Sequence, residues 1–473
     1  MPLPEGWSEE PIGALVARRV HQGAPERRAR YIEISGIDRL RKRVIDAPEI
    51  EPQCAPTRAR QWVQTGDILV SLTRPNLNAV APVRADLDGA VASTGFDVLR
   101  PEKVLSSWLL YRVQSPDFVK DVCQGLQGVV YPAIRPKDVR AHHMPVPPAA
   151  DQARIVQTID SYFSRLDAVE VGLERMLRNL KRYRASVLQA AVTGRLVRTE
   201  AEFARAEGCE YEPAPLLLER ITAERYGSWV ESQRKGKYIE AKALGRGALA
   251  ALPEGWIWTS VDAVGEVLLG RQRAPQYLTG RFTRPYLRVA NIKDDRIDFS
   301  GVETMDFDDV HLAKYRLQPG DILVSEGQSP ELLGQSAIYR GGIEALCFQK
   351  TLHRFRPVPG GPSAEFAQIV FRSHVKNGVF AKLGSITTNI GHLTLIKFKS
   401  APFPLPPLAE QARIVSEVER LLSVANEVDA QVQAQVARVR RLRQAILGWA
   451  FEGKLVELTD GPDSATGPEE YSR

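Results

Sequence analysis

Cysteine is scarce in this sequence. There are four among 473 residues, Cys54, Cys123, Cys209 and Cys347, far apart and never in a CxxC pair. That spacing argues against a disulfide framework and fits free thiols in a reducing compartment. Long apolar runs are missing too: no stretch approaches the ~18 residues needed to span a bilayer. The N-terminal MPLPEGWSEE has no secretory character, so the expectation is a cytoplasmic chain with no membrane partner.

The usual catalytic signatures are also lacking. No GxxxxGK[ST] loop, HExxH or GxSxG is present, which leaves no motor, zincin or nucleophile elbow to argue from. Gly245-Arg246-Gly247-Ala248-Leu249-Ala250 has the form G-x-G-x-x-A, but it follows a charged helical stretch and not a strand, so it reads as linker. Seven histidines show no ligand spacing, and His142-His143 read as surface residues. The pairs Asp294-Asp295 and Asp308-Asp309 read as solvated turns. We therefore expect no catalytic residue, no metal and no cofactor.

What is present is ordinary globular composition, 44% hydrophobic and 25% charged, enough for several domains. A net charge of +6 leans toward a polyanionic partner.

The dominant feature is an internal repeat. Pro147-Pro148-Ala149-Ala150-Asp151-Gln152-Ala153-Arg154-Ile155-Val156 returns 259 positions later as Pro406-Pro407-Leu408-Ala409-Glu410-Gln411-Ala412-Arg413-Ile414-Val415. Gly194-Arg195-Leu196-Val197 returns as Gly453-Lys454-Leu455-Val456 at the same offset. Leu3-Pro4-Glu5-Gly6-Trp7 and Gly66-Asp67-Ile68-Leu69-Val70-Ser71 also return, as 252–256 and 320–325, at offsets of 249 and 254. Two heads that differ by small insertions thus precede two gap-free copies of one segment.

Those copies read as helices. Ile155, Ile159, Tyr162, Leu166, Val169, Leu173, Met176, Leu180, Tyr183, Val187 and Ala190 alternate steps of four and three, and the copy from Ile414 to Trp449 has a single polar member, Gln435. A 3.5-residue repeat held over about five heptads predicts that the two helices pack on each other. Prolines block upstream continuation, and Gly194 and Gly453 stand where C-terminal caps belong. About 40 residues at 1.5 Å make a rod of about 60 Å. The second head must join the end of one helix to the start of the next, so the antiparallel arrangement is predicted.

Each head carries short strand signals. Tyr31–Ile34 answers Tyr286–Val289, and Gly-Asp leads into a buried Ile-Leu-Val strand. Short helices are predicted over Ser107–Val113 and Glu365–His374. The expected fold is α+β: two heads with bent sheets, separated by a long antiparallel two-helix coiled coil, in a pseudo-two-fold duplication. The expected boundaries are 1–146 for head one, 147–200 for helix one, 201–250 for a polar helical connector, 251–404 for head two, 405–457 for helix two, and 458–473 for a disordered tail.

The two LeuProGluGlyTrp starts, the paired segments 145–156 and 404–415, and the connector TyrGlySerTrpValGluSerGlnArgLys resemble the DNA-specificity subunit of type I restriction–modification enzymes. The likeness covers nearly the whole chain. It implies that each head is a target recognition domain reading half of a bipartite, asymmetric site in double-stranded DNA. It further implies that the helices set the gap and hold two methyltransferase subunits, and that motor-nuclease subunits complete the restriction enzyme. A recognition subunit of a methyltransferase-only system is the alternative. Within this resemblance a 60 Å rod caps the half-site separation at about 17 base pairs of ~3.4 Å.

Polar loop residues near strand ends are then the candidates for DNA contact, because Arg, Lys, Asn and Gln match base edges. In head one these are Arg74, Asn76 and Asn78 after the Ile-Leu-Val strand, with Gln127 and Tyr131. In head two they are Gln328, Ser329, Gln349, Lys350, Thr388, Asn389 and His392. The basic runs Arg175, Arg178, Lys181, Arg182, Arg184 and Arg438, Arg440, Arg441, Arg443 read as solvated helix faces, or as surfaces facing the DNA spacer or an acidic partner.

Overall fold

The computed structural model describes residues 3–124, 126, 132–231, 238–244, 249–387 and 390–456. Part of the connector, including the basic residues Arg234, Lys235 and Lys237, which read as solvated linker, and the tail from 457 onward lie outside them. The chain divides into two compact units, 1–175 with 432–473, and 176–431. Each long helix contributes one part to each unit.

The helices span Ala149–Val192 and Leu408–Phe451, 44 residues apiece, so the offset of 259 carries both boundaries of the first onto the second. Both end in a left-handed glycine, Gly194 at φ +65° and Gly453 at φ +69°. The next residue donates back into the last turn, Arg195 N to Ala190 O and Lys454 N to Trp449 O. This is the closure that predicts glycine at such ends. The fit is also steric. A Cβ on Gly194 would lie 2.3 Å from Pro253 Cγ, and one on Gly453 would lie 2.3 Å from Pro4 Cγ. The Leu-Pro start of each head therefore seats on a helix C-terminus within its own unit.

In unit 1 the first strand, Ser8–Pro11, pairs antiparallel with His143–Val146 just before the helix. A three-stranded antiparallel sheet places Ile68–Ser71 between Phe96–Leu99 and Val80–Pro82. Tyr31–Ile32 pairs in parallel with Val91–Ala92. Unit 2 repeats this plan. Ile257–Ser260 pairs with Pro402–Leu405, and Ile322–Ser325 lies between Leu352–Pro357 and Ser336–Ile338. Tyr286–Leu287 pairs in parallel with Cys347–Phe348. Trp7, Trp108, Ile155, Ile159, Ile446, Ala450 and Phe451 share one core. Trp256, Phe366, Val187, Ala191, Ile414 and Val418 share its counterpart. In both units the two helices thus run antiparallel, the start of one beside the end of the other. The predicted short helices are Ser106–Gln114 and Ala364–Lys376.

The connector is less of a linker than its polarity suggests. Its helices Glu200–Glu207 and Ala214–Glu231 belong to unit 2. Ala214, Leu217 and Ile221 are buried in that core.

The coiled-coil seam differs from the apolar reading in one row. Ile159, Leu166, Leu173, Leu180 and Val187 are turned inward as expected, but the alternate row is Phe163, Glu170, Leu177, Arg184 and Ala191, one residue later than predicted. Helix two repeats this with Leu422, Asp429, Val436, Arg443 and Ala450. The row was hidden because it contains charges. Arg184 pairs with Asp429 at 2.8 Å in unit 2, and Arg443 pairs with Glu170 and Asp167 in unit 1. Two members of the predicted basic runs are therefore seam residues. Opposite charges at matching depths fix register where methylene packing alone tolerates a slip.

Two further expectations need correction. His142 is buried, not on the surface, accepting from Arg112 Nε at 3.1 Å and facing Asp121. Asp294 and Asp295 are not merely solvated: Arg372 bridges both and Lys376 adds a third contact. Asp308 caps the helix Asp309–Tyr315.

Candidate nucleic-acid interface

The repeated Gly-Asp sets the platform under the candidate loops. Gly66 and Gly320 adopt φ +91° and +95°, a backbone region that favours glycine. The following aspartate turns back into the sheet. Asp67 accepts from Gln64 N and from Arg100 in a two-pronged pair at 2.8 and 2.7 Å. Asp321 does the same with Gln318 N and Arg356, at 2.6 and 2.7 Å for the guanidinium. The glutamine of the second repeated motif is likewise structural. Gln152 accepts from Leu105 N and donates to Pro147 O, and Gln411 accepts from Ser363 N and donates to Pro406 O. Each ties a head to the start of its long helix.

The chain beyond the Ile-Leu-Val strand then follows one path in both heads. Ile134 N donates to Leu72 O at 2.8 Å, and Leu393 N donates to Glu326 O at 2.7 Å. Thr73 bridges Ala133, and Gly327 pairs with His392. In head two this gathers several candidates. Gln328 lies opposite Gly391, His392 faces Glu326 at 3.5 Å, and Glu326 N donates to Thr351 O. Thr351 Oγ1 donates to Gln349 Oε1. Gln328, Ser329, Gln349, Lys350 and His392 thus sit on adjoining loops. Thr388 and Asn389, and in head one Gln127 and Tyr131, lie outside the described residues.

In head one Arg74 and Asn76 are exposed. Asn78 is engaged by the fold: its amide donates to Val113 O, and its backbone carbonyl accepts from Lys42 Nζ at 2.6 Å. Burial lowers the Lys42 ammonium to about 8. Lys42 belongs to a basic hairpin, Arg39-Leu40-Arg41-Lys42-Arg43, which no strand signal flanks in the sequence. With the loop after Ser71 it encloses a cleft of about 570 Å³ whose lining includes Ile34, Ile37, Arg39, Arg74, Leu77 and Pro132. Head two has a different polar group that sequence spacing does not reveal, in which Glu303 accepts from Tyr286 Oη and pairs with Arg288 and Arg273. The hydrogen bond from Tyr286 holds the Glu303 carboxyl below its usual range.

Beneath the head-two loops two histidines are buried and neutral. His353 Nε2 contacts Leu393 O at 2.7 Å and its ring stacks on Phe398, while His374 Nε2 contacts Pro402 O at 2.6 Å. Desolvation pulls both down to about 4 from 6.5. A depressed histidine contributes stability that is complete above pH 6.5 and is lost as pH falls toward 4. The expected loss is up to about 1.4 kcal/mol per pH unit for each ring. Urea midpoints measured from pH 7 to 5 should fall, and His374→Gln should flatten the slope. A pH-independent midpoint would contradict this account.

One further surface lies on the helices. The row displaced from the seam leaves Tyr162, Val169, Met176 and Tyr183 between 42% and 49% exposed, with Leu442 and Trp449 on helix two. Among the described residues no helix is long and apolar enough to cross a membrane.

Comparison with known proteins bears on this arrangement. Residues 258–438 match the family model described as the type I restriction modification DNA specificity domain. The EcoKI specificity subunit of Escherichia coli K12 is 22% identical over 480 residues, covering 98% of this chain and 93% of the relative. The StySPI specificity subunit of Salmonella potsdam is 25% identical over 483 residues, with the same coverage. A solved chain from work on complex assembly and conformational transition of a type I restriction–modification system shares the fold, with a TM-score of 0.66 at 22% identity, covering 96% of this chain and all of that one. The second head and most of the second long helix thus match the DNA-specificity domain. Over nearly its whole length the chain is similar to type I restriction enzyme specificity subunits.

Proposed function

We propose that this chain reads a bipartite, asymmetric sequence in double-stranded DNA, one half with each head, and carries no chemistry of its own. It positions two methyltransferase subunits and, in the complete enzyme, motor-nuclease subunits. One observation carries this reading. The bonds that hold each head together are duplicated residue for residue, Asp67–Arg100 as Asp321–Arg356 and Gln152 as Gln411, whereas the polar loops mounted on them differ. Such a pattern suits one scaffold serving two specificities. The domains 1–146 and 251–404 are proposed as the two recognition domains. The half-exposed row of Tyr162, Val169, Met176 and Tyr183 is proposed as part of the methyltransferase docking face.

Exchanging residues 251–404 for those of a relative tests this. With the methyltransferase subunit present, the hybrid should methylate a motif with one new half and one unchanged half. Contacts in separate heads without shared partners contribute nearly additively, so each half should respond alone. A hybrid in which both halves change would refute modular reading. A chain that methylates or cuts DNA without partners would refute the non-catalytic assignment.

A further inference from the structure

Arg74 and Gln328 occupy the same position in the two heads. Each is the third residue after the Ile-Leu-Val-Ser strand ends, at the offset of 254 that relates the two Gly-Asp turns. Each follows a residue paired with the returning strand, Thr73 with Ala133 and Gly327 with His392. At the position itself both backbones are tied to the returning strand, Arg74 in a left-handed conformation with its N donating to Pro132 O at 2.7 Å, and Gln328 extended and in register with Gly391. The side chains differ in one chemical respect. Arginine presents a rigid fork of donors, complementary to O6 and N7 of guanine. Glutamine presents one donor and one acceptor, complementary to N7 and N6 of adenine.

From this pairing, and resting on the recognition role proposed above, we infer that Arg74 and Gln328 are equivalent base-reading residues, Arg74 selecting a G·C pair in one half-site and Gln328 an A·T pair in the other.

Three local features support the assignment. Arg74 is held at φ 48° and ψ 57°, a left-handed conformation uncommon for a residue with a Cβ. Backbone strain of this kind persists where surrounding structure enforces it, and Lys42 and Asn78, joined through the Lys42 ammonium, are also at positive φ beside it. Arg74 lines the cleft beside the basic hairpin together with Arg39, so two arginines border one concave surface in head one. In head two, Ser329 N donates to Gln328 Oε1 at 3.2 Å. That bond orients the amide and leaves the oxygen's second lone pair for an adenine amino group.

The test uses the full chain with its methyltransferase subunit. The methylated motif is mapped for the natural chain, Arg74→Gln and Gln328→Arg. Arg74→Gln should convert or relax a single G·C position in one half-site. Gln328→Arg should convert or relax a single A·T position in the other half. Either variant methylating the natural motif with undiminished selectivity overturns the assignment for that head. If a variant methylates nothing, the complex is titrated against duplexes each carrying one substituted pair. Loss of a roughly 10- to 100-fold preference at one pair supports base reading. Equal weakening on every duplex, or binding to none by a folded variant, marks a phosphate or structural role and overturns it. Should Arg74→Gln fail to fold, Arg74→Lys carries the same comparison, because a point charge keeps a phosphate contact but loses the fork. A natural chain that directs no sequence-specific methylation fails at the earlier step, and so is distinguished from failure of the residue assignment.

Discussion

Asp321→Ala should destabilise unit 2 by about 3–5 kcal/mol, the range for removing one partner of a buried ion pair. The Asp321 side chain is fully buried, and it holds both prongs of the Arg356 guanidinium and the backbone N–H of Gln318. Alanine leaves a charged group about three-quarters buried without its paired carboxylate, with only the more distant Glu266 across the strand, and a turn N–H without its acceptor. The remaining exposure of Arg356 lets water recover part of the loss, so the lower end of the range is expected. Asp321→Asn keeps an acceptor for Gln318 N but removes the charge, and should cost less. Hydrogen exchange resolved by peptide is the appropriate measurement. Protection should drop over 257–405 and persist over 8–146, and Asp67→Ala should show the reverse. A variant with unchanged protection in its own head would mean that the Gly-Asp turn is held by the sheet alone.

The repeat made this architecture legible from the chain alone, because a duplicated residue whose neighbours diverge has to serve what the copies share. Gly66-Asp67 and Gln152 return as Gly320-Asp321 and Gln411, and all prove to be ties within the heads or between a head and its helix. The same logic located the loops. Residues 73–78 and 327–329 follow a shared strand but share no residues, and there the structure brings together Gln328, Gln349 and His392 through backbone pairing that sequence spacing could not supply. The basic hairpin at 39–43 is not legible in the sequence for a physical reason. Its strands are two residues each, too short for a periodic signal, and its Lys42 is tied to the distant Asn78 carbonyl, a contact that sequence spacing does not reveal. His142 reads as a surface residue in the sequence because burial of a histidine depends on what surrounds it, here Phe118 edge-on and Arg112, and sequence neighbours carry no trace of that.

The helices show a subtler limit. A search for apolar residues at steps of four and three finds the row Tyr162, Val169, Met176, Tyr183 and skips its neighbour, since that neighbour contains Glu170 and Arg184. Yet the charged row is the one turned inward, because each charge meets an opposite one: Arg184 with Asp429, and Glu170 with Arg443. Each of these partly buried pairs offsets the desolvation that would otherwise expel its members. The apolar row is left half-exposed, which is the reason to assign it to a partner subunit.

That correction also decides which heptad to remove when testing the helices as the ruler between half-sites. Deleting 170–176 with 429–435 would take out Glu170 and Asp429 and leave Arg443 and Arg184 without those partners. Deleting 173–179 with 432–438 removes one full heptad from each helix, related by the offset of 259, and keeps all four charged residues. Seven residues at 1.5 Å shorten each helix by about 10.5 Å, close to three base pairs at ~3.4 Å. The inward row stays in register because seven residues return it to the same face. Methylation at the natural spacing should therefore be lost. Any motif that replaces it should keep both half-sites and have a spacer shorter by about three pairs. Three pairs also turn the duplex by close to a third of a revolution at ~10.5 pairs per turn, whereas a heptad turns a helix face by only about 20°. The shortened protein should accordingly methylate more slowly than the natural one, with a stronger dependence on DNA flexibility in the spacer. Sequencing of methylated DNA from cells carrying the doubly deleted chain and its methyltransferase subunit gives the readout. Persistence of the natural spacing would mean that something other than these helices fixes the distance between the two halves.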